Sequence, residues 1–484
     1  MKLSQFFLHL QLIFLLFITV VAFWQRRRIK KGIKELITLD KEASLPEPAP
    51  RVSVILPVRN EEANIDTCLA SLLAQDYPDF EVIVIDDGST DATPARLAAW
   101  QQRDPRLRVQ RVDELPAGWA GKAHALHTGA TLAHGDWLLF TDADTRHAPQ
   151  TLRRAVAHAI AHHLDLLTLF TDTRLPGAAA RLLTAIGATL LAMLATPGEM
   201  RDPRQPTRVL AIGQYLLVRR SAYLACGGYN APELRSTFSD DITLAWYLKR
   251  RGCREDIVAE RGLVFNDQWT TWKSAWEGMR KSNYGLVASS PLLGGLLGLA
   301  LIIYGLLPPF TLVRQLWLWR SRRQSQFQSQ RPQQGYSGLL ASTLAALTLF
   351  FQIDTKRRFE REYRLPFAWS LTAPLGWATF GLLMLDTTRL VLSGRGATWK
   401  GRMAPPQHRS VHPLAFMGNL LQRLRPRAAR TPSGFAHYLV GLCNGKTLSP
   451  SFLATHCLSR PDHAGSQLAA LARSTYAQGD PPSQ

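Results

Sequence analysis

The chain has 484 residues, with 57 Lys or Arg against 37 Asp or Glu and a formal net charge of +20. Such a balance raises nucleic acid as a partner, yet no zinc-finger or RNA-recognition motif is present, and the basic residues cluster beside apolar runs, which fits anionic lipid headgroups better. The five cysteines (Cys68, Cys226, Cys253, Cys443, Cys457) and thirteen histidines show no metal-ligand spacing, and the first three cysteines suit reduced cytosolic thiols.

The first predicted element is an apolar run from Phe6 to Phe23, interrupted by His9 and Gln11 and followed by Arg26, Arg27, Arg28, Lys30, Lys31 and Lys34. Its length is near the ~20 residues that span a bilayer. Residues 1–24 therefore read as an anchor whose C-terminal side is cytoplasmic. A cleaved signal peptide would carry its charge on the other side and end in a small-x-small site. Residues 25–50 read as a basic, proline-containing linker.

Residues 51–283 read as one α/β domain. Val52 to Val58 is an apolar strand that runs into the polar turn Arg59-Asn60-Glu61-Glu62, and a helix follows with Leu69, Leu72 and Leu73 on one face. Phe80 to Ile85 is a continuous apolar run, as in a strand buried on both faces, and ends at Asp86-Asp87-Gly88-Ser89. Strand, helix, strand at this spacing predicts a βαβ unit, in which ligands bind beyond the carboxyl ends of the strands. Trp137 to Phe140 reads as a third strand, breaking at Asp142 and Asp144. Residues i and i+2 of an extended segment point the same way, so both carboxylates can face one hard divalent cation. A bare acidic pair of this kind is also common at helix starts and in loops.

Ala178 to Pro197 is apolar but lies between the Asp142/Asp144 pair and Asp240-Asp241, where a crossing would split one domain across the bilayer, so an interfacial or buried helix is expected. Asp240-Asp241 precedes a run compatible with a helix, where two acids can also serve the helix N-terminus. Trp269, Trp272, Trp276 and Met279 are spaced as an aromatic stripe on a helix, which suits a core or the headgroup level of a membrane. Leu286–Val313, Tyr336–Ile353 and Phe367–Leu392 are three further candidate spans, the first alternatively a re-entrant hairpin at Gly294-Gly295 and Pro308-Pro309. Basic clusters flank the middle one on both sides, at Arg320, Arg322 and Arg323 and at Lys356, Arg357 and Arg358. One of them contradicts the positive-inside rule if all three span. Residues 284–402 thus form a membrane module, and the 403–484 tail, rich in Pro, Ser, Ala and Arg, is expected to be partly disordered.

The order of Val-Ile-Leu-Pro-Val-Arg-Asn-Glu-Glu, Val-Ile-Asp-Asp-Gly-Ser-Thr-Asp, Gly-Trp-Ala-Gly-Lys (118–122), Phe-Thr-Asp-Ala-Asp-Thr, Gly-Gln-Tyr-Leu-Leu-Val-Arg-Arg (213–220) and Phe-Ser-Asp-Asp (238–241) resembles the family-2 glycosyltransferases. More narrowly it resembles their membrane-attached, lipid-glycosylating branch, with the ceramide, carotenoid and hopanoid-associated enzymes. Trp276-Glu277-Gly278-Met279-Arg280-Lys281 and the Gly394–Arg402 segment belong to that likeness. The Q-x-x-R-W motif of processive polysaccharide synthases is absent.

The resemblance implies an α/β GT-A nucleotide-diphospho-sugar transferase fold, with a Rossmann-like mixed sheet and transmembrane helices at both ends. It implies that Pro57, Arg59 and Glu61 line the nucleotide pocket, that Asp87 bonds the base and that Lys122 lies near the nucleotide or its pyrophosphate. Asp144 would bind Mg²⁺ or Mn²⁺, with Asp142 on the ribose or the cation. Of Asp240 and Asp241, where the family usually shows Glu-Asp, the second would be the general base. Trp272, Trp276 and Arg280 would lie on the acceptor side. The expected function is inverting, metal-dependent transfer of one sugar from a nucleotide-sugar, UDP-linked, to a membrane lipid. The enzyme would be multi-pass in the cell (inner) membrane, its catalytic domain facing the cytoplasm. The alternatives are a polyprenyl-phosphate sugar synthase and a catalytically silent scaffold.

Overall fold

The computed structural model describes residues 2–237, 239–325, 335–394, 398–399 and 402–403. Phe238, Cys443, Cys457, most of the Gly394–Arg402 segment and the tail beyond 403 lie outside the described residues. The chain begins with helix α1 (Lys2–Glu35) and enters the alternating part through β1 (Val52–Val58), α2 (Ile65–Leu73), β2 (Phe80–Asp86), α3 (Thr93–Arg103) and β3 (Leu107–Arg111). There follow α4 (Gly121–Leu132), β4 (Trp137–Phe140), β5 (Thr145–His147), α5 (Thr151–Ala161), β6 (Leu166–Leu169), β7 (Asp172–Arg174), α6 (Ala178–Leu194), α7 (Pro197–Arg201) and β8 (Leu216–Arg219). Next are α8 (Arg220–Ala225), α9 (Pro232–Arg235), α10 (Asp240–Arg250), β9 (Glu255–Val258) and β10 (Val264–Asp267). The long helices α11 (Trp272–Ser289), α12 (Pro291–Ser325), α13 (Gly335–Glu362) and α14 (Ala373–Leu392) follow, ahead of the short strands β11 (Thr398–Trp399) and β12 (Arg402–Met403).

The main sheet runs β3-β2-β1-β4-β8-β6-β9, and a second sheet runs β5-β10-β7. β1, β2, β3 and β4 are mutually parallel, and β8 enters antiparallel between β4 and β6. This is the mixed α/β architecture expected. Every residue of β1 and β2 is buried, because helices cover both faces and no position faces water. Val54, Leu56 and Val82 pack with Leu69 and Leu72 of α2 on one face, while Ile55, Ile83 and Phe140 pack with Leu126 of α4 and Leu244 of α10 on the other. The register places Val58 opposite Asp86, and β4 ends with Phe140 opposite Ile55. The loops after β1, β2 and β4 therefore leave the sheet side by side.

Among the described residues, five segments are long and apolar enough to cross a membrane: His9–Glu35, Ala178–Arg201, Pro291–Ser321, Tyr336–Glu362 and Phe367–Leu392. Helix α1 continues unbroken through the basic run to Glu35, so much of the expected linker is helical. The hairpin reading of the first C-terminal span is corrected, because α12 passes straight through Pro308 and Pro309. Pro308 lacks the N–H that would bond the Tyr304 carbonyl, and Gln352 Nε2 of α13 donates to that oxygen at 2.8 Å instead. Re-satisfaction by a neighbouring helix is how apolar helices tolerate proline.

α1 and α13 run parallel, joined by Thr19 and Thr348 at 2.8 Å and by Arg26 and Asp354 at 2.9 Å. The Lys356–Arg358 cluster thus lies at the same end of the bundle as the basic run of α1. α12 and α14 run antiparallel on close glycine contacts, Gly298 on Gly381 and Gly305 on Pro374. Helix α6 leaves and rejoins one sheet, since β6 and β8 are hydrogen-bonded neighbours; its Ile186 packs on Gly376 of α14.

The aromatic stripe is also corrected. A capping box between Thr271 and Ser274 starts α11 at Trp272, so Trp269 precedes the helix. Its indole lies against Gly278, where a Cβ would come within 2.5 Å of Nε1.

Candidate active site

Two loops form the first wall. Arg59 donates to the Gly88 carbonyl at 2.9 Å and also bonds the Asp87 carbonyl. Asn60 adopts φ +50°, a left-handed conformation that asparagine tolerates, which lets its Oδ1 accept from Thr90 N at 2.8 Å. Glu61 N donates to Thr93 Oγ1 at 2.8 Å. Asp86 holds the second turn, accepting from Ser89 N at 2.9 Å and facing Arg111 at 3.0 Å. Asp87 is fully buried at the sheet end, and its amide bonds the Val58 carbonyl at 2.8 Å. Pro57 is buried inside β1, one position short of its end.

Asp142 and Asp144 sit in a turn rather than on an extended strand, for β4 stops at Phe140 and β5 begins at Thr145. Asp144 is exposed and Asp142 half-buried. Behind the turn, His147 Nε2 lies 3.1 Å from Thr141 Oγ1 and 3.0 Å from Thr145 Oγ1. Burial lowers the His147 pKa to about 3, so a neutral imidazole backs the turn. Thr141 Oγ1 also donates to the Gln214 carbonyl at 2.7 Å, which ties the turn to the segment before β8. Cys68 underlies the same loop, and burial, together with the charges of Asp144 and Glu61, raises its thiol pKa far above the ordinary range.

Lys122 occupies the centre. Its Nζ lies 2.9 Å from Asp142 Oδ1 and 3.5 Å from Asp240 Oδ2. Burial alone would lower its pKa, but Asp142, Asp240 and Asp241 outweigh that and hold the ammonium firmly charged. The start of α4 that presents Lys122 is fixed from the side. Trp119 stacks on His127 at 5.1 Å, Arg235 lies over the indole at 5.1 Å, and Ala120 N donates to the Arg235 carbonyl at 2.7 Å.

Asp240 and Asp241 open α10. Asp241 Oδ2 accepts from Gly213 N at 2.9 Å and Oδ1 from Ile242 N at 2.8 Å. Burial and the neighbouring Asp240 raise its pKa to about 6, against the pull of Lys122 and the two amides. A Cβ at Gly213 would lie 3.3 Å from Asp241 Oδ2 and 3.5 Å from Lys122 Nζ. Glycine there keeps that space open.

On α11, Trp272 is exposed. Trp276 Nε1 donates to Asp386 of α14 at 2.9 Å, and Arg280 faces the same carboxylate at 3.4 Å. Arg280 is thus turned toward the apolar helices. For its neighbour Lys281, burial and Lys122 lower the pKa, while Asp142, Asp240 and Asp144 act to raise it. Gly213, His147 and Lys281 were not singled out by sequence, although Gly213 and Lys281 fall inside motifs that were.

Residues 53–222 match the model of glycosyl transferase family 2. A beta-monoglucosyldiacylglycerol synthase from a Nostoc species is 31% identical over 212 residues, 41% of this chain and 41% of that protein. The 4,4'-diaponeurosporenoate glycosyltransferase of Staphylococcus aureus is 41% identical over 93 residues, 19% of this chain and 24% of that one. A mannosyltransferase from Pyrobaculum calidifontis, solved with GDP-Man and Mn2+, overlays with a TM-score of 0.47 at 18% identity, covering 80% of this chain and 99% of its own. The chain spans less than half the length of these two curated relatives.

Proposed function

We propose, from the premise that this chain is a glycosyltransferase carrying a glycosyl transferase family 2 domain, that it moves one sugar from a nucleotide-sugar, UDP-linked, to a hydroxyl or carboxyl of a membrane lipid, with inversion. The observation that carries this reading is the shared ammonium of Lys122, which brings Asp142 of the donor-side turn and Asp240 of the acceptor-side helix to one point. Donor and acceptor then have one place to meet. The lipid as acceptor is supported by the apolar helices packed beside the site and by relatives named for glycosylating diacylglycerol and a carotenoid acid.

Asp142 and Asp144 offer hard oxygen donors at a solvent-accessible turn, a set that fits Mg²⁺ or Mn²⁺. Among the described residues no group of three or more His, Cys, Asp or Glu that could hold a metal is present, so a cation at this turn would need diphosphate oxygens and water to complete its shell. A cation held there would offset charge on the leaving nucleoside diphosphate. Lys122 places a second positive charge beside the same oxygens. Arg59 braces the two nucleotide loops, and Asp87, just past the end of β2, would bond the base. Asp241 takes the acceptor proton as the acceptor oxygen attacks the anomeric carbon. A single base with in-line attack gives inversion. Nucleotide-sugars are cytosolic and the basic run of α1 follows its apolar part, so the catalytic domain faces the cytoplasm.

The test uses purified full-length protein in vesicles made from a total lipid extract, with UDP-glucose labelled in the sugar and Mn²⁺. The expected result is label in the organic phase, attached through a β linkage from the α-linked donor. Label that passes only to water or to soluble acceptors, with UDP- and GDP-linked sugars alike, overturns the reading.

A further inference from the structure

The basic run of α1 divides into two faces. Arg26 and Arg28 turn inward, to Asp354 at 2.9 Å and to Glu199, with bonds of 2.8 and 2.6 Å. Arg27, Lys30, Lys31 and Lys34 are exposed. Among the described residues the only carboxylate contact of these four is Lys31 with Glu35 at 3.5 Å. Their spacing of three, one and three residues puts them on one side of the helix. That side continues the exposed apolar stripe of Leu16, Phe17, Val20, Phe23 and Trp24. The join is physical, since the Arg27 guanidinium lies over the Phe23 ring at 5.6 Å.

An outward face that passes from apolar to basic without a turn matches the passage from acyl chains to phosphates. Residues 27 to 34 rise about 10 Å along the axis, which is comparable to the depth of a headgroup layer. We propose that Arg27, Lys30, Lys31 and Lys34 form a binding stripe for anionic phospholipid headgroups. The proposal rests on the membrane placement above and not on the identity of the transferred sugar. Its charge complementarity is local, because the inward basic residues are already neutralised by protein acids, whereas of the outward four only Lys31 faces one among the described residues.

The stripe is coupled to the catalytic domain through the opposite face of the same turns. Glu35 Oε2 accepts from Gly198 N at 2.9 Å, and Gly32 packs on Thr196 and Pro197. Lys249 of α10 then holds this segment, donating to the carbonyls of Glu199 at 3.1 Å and Arg208 at 2.9 Å. α10 begins with Asp240 and Asp241. A headgroup seated on the stripe therefore sets the height of the candidate base above the bilayer.

The test reconstitutes the full chain in phosphatidylcholine vesicles and measures, by electron spin resonance, the association of spin-labelled phosphatidylglycerol relative to spin-labelled phosphatidylcholine. No sugar enters the assay, so failure of the transferase reading leaves it untouched. A basic residue near an anionic surface is worth about fivefold in association, and the parent is expected to prefer phosphatidylglycerol at least that strongly at low salt. The preference collapses near 1 M salt, where the Debye length is about 3 Å. R27Q/K30Q/K31Q/K34Q removes it, and the charge-conserving R27K/K30R/K31R/K34R keeps it. Thermal unfolding followed by tryptophan fluorescence confirms that each variant is folded; if the fourfold variant is not, R27Q/K34Q and K30Q/K31Q each show part of the loss. No preference in the parent, as for basic residues that serve only to fix topology, or a preference that survives neutralisation, overturns the proposal.

Discussion

Lys122 and Asp240 face each other across 3.5 Å from the starts of two different helices, and the same ammonium lies 2.9 Å from Asp142. A diphosphate arriving at the Asp142 turn competes for that ammonium. Lys122→Met is therefore expected to raise the donor KM and to lower kcat. A charge-assisted hydrogen bond of about 1.5–3 kcal/mol corresponds to roughly 10- to 100-fold in donor affinity. Lys122→Arg should recover part of this. Steady-state kinetics in donor concentration checks it, and an unchanged donor KM in Lys122→Met counts against a phosphate contact.

Asp241→Asn keeps the shape of the side chain but cannot accept a proton. Turnover is expected to fall by ~10²–10⁴, the range of general acid–base catalysis, while calorimetric affinity for the nucleoside diphosphate stays near the parent value. A larger loss in Asp240→Asn reverses the roles of the pair. Near-full activity in both points to an acceptor phosphate, which needs little base help.

The pH profile follows from the same carboxyl. Its pKa is raised above the ordinary aspartate value, to about 6, and only the ionised form accepts a proton. Turnover should therefore hold above that value and fall about tenfold per pH unit below it. Loss of the acid limb in Asp241→Asn, measured on its residual rate, assigns the limb to this residue. An acid limb that persists unchanged places it elsewhere.

Asp144→Ala is expected to abolish transfer while leaving unfolding temperature and vesicle incorporation as in the parent, since Asp144 is exposed and in a turn. Chelator should silence the parent, and Mn²⁺ and Mg²⁺ should each restore it. Full activity in excess chelator contradicts a cation at this turn.

Trp272 and Trp276 separate by burial. Trp272→Ala removes an exposed ring and should weaken use of lipid acceptors far more than donor hydrolysis. Trp276→Ala removes the 2.9 Å bond to Asp386 and should also lower the unfolding temperature, as loss of one hydrogen-bond partner costs about 1–3 kcal/mol. Equal use of a short water-soluble acceptor, with no dependence on Trp272, argues against an acceptor at the membrane face.

β1, β2 and β4 were legible because each is a short apolar run buried on both faces with a polar end, carrying Asp or Glu, that marks the rim, whereas β3, Leu-Arg-Val-Gln-Arg with only Leu107 buried, was not. What lay hidden depends on partners distant in sequence or on helix phase. Pro308-Pro309 reads as a break because nothing nearby shows that Gln352 bonds the Tyr304 carbonyl. Arg280 and Lys281 are adjacent and both basic, so only the phase of α11 decides that Arg280 is the one that faces Asp386. His147 carries no motif, and its part in backing the Asp142 turn emerges from the fold alone.

The parallel pairing of α1 with α13 bears on how far the protein can be cut down. Thr19, Gln25 and Arg26 of the first helix have side-chain partners, Thr348, Tyr304 and Asp354, far along the chain in α12 and α13. A fragment that stops after the catalytic domain would leave these groups facing lipid or an empty groove. Exchanging α1 for a plain leucine helix would keep the hydrophobicity and lose the fit. The smallest piece that behaves like the whole therefore includes both flanks, and screens that express residues 51–283 alone should yield protein that binds nucleotide yet fails to act at a bilayer.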